Sequence, residues 1–215
     1  MSAAYEAFDK ISKDKQATII KSGIREFSQK PYKEASTDAI TTSAGISKGL
    51  LFHYFGSKKE FYLYCLSQAL ECLIAPTPEP DVQDFYTIIF GTMDEKIRLC
   101  NEYPNEMHLV NMASRDAASD IAEGKNQIFK DYLLKTTAES AQLMARAIAT
   151  LPLKEPTNEK VNEALRLYIG IVNNKYLAAY QSNPDAYFEN SEQIKKEMKL
   201  YIDFMLYGIV KEPTL

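Results

Sequence analysis

Apolar residues recur at helical spacing along almost the whole chain, and the strict alternation of half-buried strands is scarce. Ile11, Ile19, Ile20, Gly23, Ile24 and Phe27 mark the stripe of an amphipathic helix over 9–29. Lys30-Pro31 stops it, because a residue before proline is pushed out of the helical region. A second helix is predicted from Ser36 or Thr37, both good N-caps, to Ala44, where Gly45 supplies a left-handed turn. Ser47 caps a third, very short helix through Tyr54, and Gly56 breaks the chain again. Ser57-Lys58-Lys59-Glu60 has capping-box spacing and opens a fourth helix to about Ile74. Ala75-Pro76-Thr77-Pro78-Glu79-Pro80 is the clearest linker. Beyond it the pattern predicts five helices, at roughly 82–102, 104–114, 117–150, 158–182 and 190–211, with Asn190 and Gln193 capping the last.

The expected architecture is therefore all-α, with about nine helices. Residues 1–57 form a three-helix helix-turn-helix head, 58–74 a connecting helix, and 75–215 a larger helical body. Isolated helices shorter than about 12–15 residues are marginal, so the two short helices flanking Gly45-Ile46 must pack on the first and fourth. Ile40, Ala44, Ile46, Leu51 and Phe55 have the spacing to fill that small core. Lys48, Gly49, Leu50, Phe52, His53 and Tyr54 are then expected to face outward.

Composition narrows the class. With 46% apolar and 25% charged residues, 8 Gly and 9 Pro, the chain is neither collagen-like nor disordered. Three cysteines are too few and odd in number for a disulfide framework, which predicts reduced thiols and a cytoplasmic protein. No apolar run approaches the roughly 20 residues of a membrane span. The start, MSAAYEAFDKISKDK, lacks the apolar region of a secretory signal.

Charge separates the head from the rest. The net charge is −4, yet between Lys10 and Glu60 ten Lys/Arg face five acids, leaving +5 there and −9 elsewhere. A basic head on an acidic body suits a polyanion partner. Gly49 has no side chain to hold a backbone away from base edges in a major groove. Hydroxyls at Ser36, Thr37, Ser47 and Ser57, each at a helix start, suit phosphate oxygens.

Ala44-Gly45-Ile46-Ser47-Lys48-Gly49, then Phe52-His53-Tyr54-Phe55 and Ser57-Lys58-Lys59-Glu60, resemble the signature of the TetR family of bacterial transcriptional regulators, over residues 18–62. The resemblance implies that Lys48 and Gly49 read bases and that Thr37, His53, Tyr54 and Lys58 touch the phosphate backbone. Phe52 stands where Tyr is usual, so it lacks a phenolic contact and either packs in the head or faces DNA. Leu50 stands where Thr or Asn is frequent, which favours contact with a thymine methyl. Asp38 is awkward near phosphates, although a first-turn acid suits the helix dipole.

The resemblance further implies a body that binds a small-molecule effector and dimerises through its last two helices, with the connecting helix as lever. Two helical stripes support the dimer independently: Val161, Leu165, Tyr168, Val172 and Tyr176 over 158–182, and Ile194, Met198, Tyr201, Ile202, Met205 and Ile209 over 190–211. Paired with their symmetry mates, they would make a four-helix bundle; internal core is the other outcome open to them. Candidate pocket residues combine aromatic or Met side chains with polar groups: Tyr86, Ile89 and Met93; Met107, His108, Asn111 and Met112; Phe129 and Tyr132; and Tyr168, Val172 and Tyr176. They suit an apolar or aromatic effector.

Cys65, Cys72 and Cys100 lack CxxC spacing, and His53 and His108 lie far apart, so neither a metal site nor a cofactor is expected. Gly-Ile-Ser-Lys-Gly lacks the spacing of a phosphate-binding loop, and no nucleophile elbow occurs, which argues against an enzyme. The reading is a homodimeric repressor released from a palindromic double-stranded DNA operator by an effector, with no membrane role. Two others stay open: an activator without effector, and a helical ligand-binding module whose head has lost DNA binding.

Overall fold

A computed structural model describes residues 3–74, 84–154, 158–179 and 184–208. Eleven α-helices and no strand occur among them. They are α1 (Ala3–Asp9), α2 (Lys13–Gln29), α3 (Thr37–Ala44), α4 (Lys48–Phe55), α5 (Lys58–Cys72) and α6 (Phe85–Glu102). Then come α7 (Pro104–Arg115), α8 (Ser119–Ala149), α9 (Glu159–Ala179), α10 (Pro184–Glu189) and α11 (Ser191–Tyr207). The expected helices are present, and two short ones, α1 and α10, are additional. At seven and six residues, they are too short to announce themselves by periodicity. The proline linker 75–80 and Ile209 lie outside the described residues.

The predicted caps hold in the first half of the chain. Ser36, Ser47 and Ser57 occupy N-cap positions, and each hydroxyl accepts from a backbone N–H three residues on (Ala39, Leu50 and Glu60). Gly45 ends α3 in the left-handed region at φ 65°, which a side chain would resist. Asn190 does stand at the N-cap of α11, but its side chain makes no cap hydrogen bond there; its amide donates to Ala186 O of α10 instead.

The chain divides into two compact units, with boundaries inside α6 and α8. The first takes in the described residues within 1–76 and 98–138. Its core joins Ile19, Phe27, Ile40, Leu51, Phe55, Phe61 and Leu66 to Leu109 of α7 and Ile121 of α8, all essentially inaccessible. Ala44 and Ile46 pack where the spacing placed them, so the short helices are stabilised by neighbours. α7 lies against both α2 and α5. Gly23 is a point of close approach between α2 and α5: a Cβ there would stand 2.5 Å from Phe61 Cζ and 2.7 Å from Cys65 Sγ. Both neighbours are fully buried and have nowhere to retreat. Gly23→Ala is therefore expected to cost about 1–3 kcal/mol through overpacking, against the usual gain in helix propensity. A lowered urea midpoint at unchanged slope checks it.

The second unit takes in the described residues within 77–97 and 139–215. Phe85, Ile88, Ala147, Ile148, Leu165, Ile169 and Ile202 form one apolar cluster; Val172, Tyr176, Ile194 and Met198 form another. Among the described residues, no helix is long and apolar enough to cross a membrane, and no group of His, Cys, Asp and Glu could hold a metal ion.

Candidate nucleic-acid interface

The turn between α3 and α4 sets the direction of the α4 side chains. Leu51, Tyr54 and Phe55 point into the head, whereas Lys48, Gly49 and His53 are exposed and Phe52 is half-buried. Positions 48, 49, 52 and 53 share one helical face, the one a duplex would meet. Tyr54 departs from the expectation of an outward residue. It is 6% exposed and meets Phe8 of α1 edge-on at 5.6 Å. The unanticipated first helix brings that ring, which also lies 4.8 Å from Phe55. Leu50 is half-buried and packs partly on the head core, so less of it than expected is free for a thymine methyl.

The cation of α4 is paired. Lys48 Nζ lies 3.0 and 3.1 Å from the two carboxylate oxygens of Asp38 on α3. The Ser36 N–H donates to Glu26 Oε1 at 2.9 Å, and the same oxygen accepts from Lys30 Nζ. Burial pushes the Glu26 carboxyl up, but Lys30 and the Ser36 N–H outweigh it and hold it below the usual range. The loop before α3 is thus clamped to α2 by a carboxylate that stays ionised through neutral pH. Thr37 follows at the start of α3, half-buried.

Lys58 is drawn to the same loop. Its ammonium donates to Lys33 O at 3.3 Å and lies 4.9 Å from the centre of the Tyr32 ring. Burial lowers its pKa, opposed by Asp120 and Glu26. The Tyr32 N–H donates to Asp116 Oδ2 at 2.9 Å, and Lys33 pairs with Asp120 at 3.1 Å. The corner between α7 and α8 therefore fixes the loop that presents Ser36 and Thr37.

A polar groove of about 550 Å³ opens beside α3, lined by Ser22, Arg25, Glu26 and Gln29 of α2 and Asp38, Ala39, Thr42 and Ser43 of α3. Ser22 and Ser43 meet across it at 3.3 Å. Arg25, Thr42 and Ser43 were not among the expected contacts. The signal available for Arg25 was the polar face of α2, opposite the Ile19–Phe27 stripe; Thr42 and Ser43 lie on α3.

The expected pocket residues separate. Tyr86, Ile89, Met93, Tyr168, Val172 and Tyr176 lie in the second unit. Val172 and Tyr176 are buried there with Met93 and Tyr168 packed against them, and the Tyr176 hydroxyl donates to Glu197 Oε2 at 2.9 Å. Tyr86 donates to Asp203. His108, Asn111, Met112, Phe129 and Tyr132 lie in the first unit. His108 is exposed beside buried Leu109, and Phe129 and Tyr132 pack on the first unit's core.

The stripes expected to dimerise are largely internal. Leu165, Val172, Tyr176, Ile194, Met198 and Ile202 are buried within their own unit, because α9 and α11 pack on each other. The outward apolar positions are Leu167 and Ile171 on α9, and Leu200, Tyr201, Phe204 and Tyr207 on α11; of these, Tyr201 alone belongs to the expected stripes. The two faces adjoin. Tyr168 donates to Tyr201 O at 3.0 Å, and Lys175 Nζ lies 2.8 Å from the Tyr201 hydroxyl.

Residues 19–65 match the family model described as "Bacterial regulatory proteins, tetR family". A TetR family transcriptional regulator from Chloroflexus aurantiacus J-10-fl is similar in structure, with a TM-score of 0.52 at 23% identity over 94% of this chain and 96% of that one. A TetR-like transcriptional regulator from Rhodococcus sp. RHA1 is similar with a TM-score of 0.54, at 15% identity over 93% of this chain and 100% of that one. No curated protein matches the sequence.

Proposed function

From a chain with the TetR-family regulator fold, we propose a homodimeric transcriptional repressor that reads a palindromic operator and leaves it when a small molecule binds. The observation that carries DNA reading is the outward face of α4, with Lys48, Gly49, Phe52 and His53 presented together by a head whose core is complete. Each head would lay α4 in the major groove, with Ser36, Thr37 and Ser47 at phosphates. Two-fold symmetry then demands an inverted repeat. Such a chain works in the cytoplasm and needs no catalytic residue.

Selection of bound duplexes from a random library tests this reading. Enrichment of an inverted repeat, with affinity falling steeply as salt rises, is the expected result. On the winning duplex, Lys48→Ala should cost about 1–3 kcal/mol, as loss of a good base contact does. Unchanged binding would mean that the head does not read DNA.

Effector release is supported by aromatic and thioether side chains in the second unit, where Met93, Tyr168, Val172 and Tyr176 gather. A ligand bound there releases DNA only by preferring a conformation unsuited to the operator, since equal affinity for both shifts nothing. A ligand that binds without altering operator affinity would sink this step.

A further inference from the structure

We propose that Asp38 is a specificity-determining residue, which restrains Lys48 and repels phosphate so that the head discriminates its operator from bulk DNA. The inference rests on the DNA-binding reading above. Lys48 is the sole Lys or Arg in α4, and both oxygens of the Asp38 carboxylate lie within 3.1 Å of its ammonium. The pair contributes little to holding the head together. Its side chains are 73% and 48% exposed, and exposed pairs of this kind are weak. The start of α3 is capped by Ser36, not by Asp38. An acid in the middle of a basic head, one residue beyond Thr37, is therefore neither a cap nor a core element.

Its effect on DNA binding follows from charge. A free lysine on a recognition helix attaches to any nearby phosphate, which adds affinity without sequence information. Asp38 opposes that in two ways: it holds the ammonium on the α3 side, and its own charge repels phosphates near Thr37. Lys48 leaves the carboxylate at little cost when guanine O6 and N7 offer a better-matched pair of acceptors. Specificity is a difference between two affinities, and a repulsive element raises it by weakening the wrong complex. Arg25 lines the same groove as Asp38.

The test is Asp38→Asn in the full chain, titrated with the selected operator duplex and a scrambled duplex of equal length across a salt series. The scrambled duplex is expected to bind roughly 3- to 10-fold tighter, with a salt slope steeper by about one. The operator-to-scrambled ratio should fall while the thermal midpoint stays unchanged. In a Lys48→Gln background the same substitution should shift the ratio less, because half of the mechanism is gone. An unchanged ratio, or equal weakening on both duplexes, overturns the role of Asp38. Wild-type protein that selects no duplex instead overturns the DNA-binding reading, and this inference with it.

Discussion

Ile171→Glu is expected to yield a folded monomer that no longer holds its operator. Ile171 is 67% exposed on α9, yet it sits with Leu167, Leu200, Tyr201, Phe204 and Tyr207 in an outward apolar face on two adjoining helices. Exposed apolar residues gathered on two packed helices suit an association site, and in an isologous dimer each residue meets the partner's copy of the same patch. A glutamate there would leave an uncompensated charge buried twice per dimer, each costing about 3–5 kcal/mol. Most of the Ile171 side chain is exposed within the chain, so helix content should be unchanged. Sedimentation should show the mass halved. Operator affinity should drop by more than 100-fold, because one head alone reads only a half-site. A variant that stays dimeric would mean that the partner docks elsewhere.

That face also shows where the sequence was legible and where it was not. Periodicity identified α9 and α11 and their apolar character, but both are apolar on more than one side. The regular stripe through Leu165, Val172, Ile194, Met198 and Ile202 is the better packed and belongs to the internal core. The outward set is less regular and includes tyrosines, which a pattern reader assigns to either side. The head was read more completely, because its signals are local. A serine cap, a glycine at φ 65° and two short helices between them have few ways to fold. Tyr54 was misplaced because its inward turn depends on Phe8, far along the chain on a seven-residue helix without a pattern of its own. The Lys48–Asp38 pair was equally hidden, since it joins two helices across a turn whose angle is not written in either one.

The corresponding case for the first unit is Leu109→Ala, which should destabilise the helix-turn-helix head from a position 54 residues beyond α4. Leu109 is fully buried on α7, a helix expected to lie in the body, and α7 packs against α2 and α5. Its side chain shares a core with Ile19, Phe27, Phe61 and Leu66. Truncating a buried leucine leaves a cavity and costs about 2–5 kcal/mol, a large part of the roughly 5–15 kcal/mol that holds a domain folded. The polar ties run the same way: Asp116, just past α7, accepts from the Tyr32 N–H, and Asp120 pairs with Lys33. Loss of Leu109 should therefore loosen α2 and α5 along with α7. Hydrogen exchange distinguishes this from a local defect. Amides of Ile19–Phe27 and Phe61–Leu66 are expected to exchange faster in the variant, and operator binding should weaken at temperatures where the wild type is intact. Protection unchanged in α2 and α5, with loss confined to α7, would show that the head stands without it.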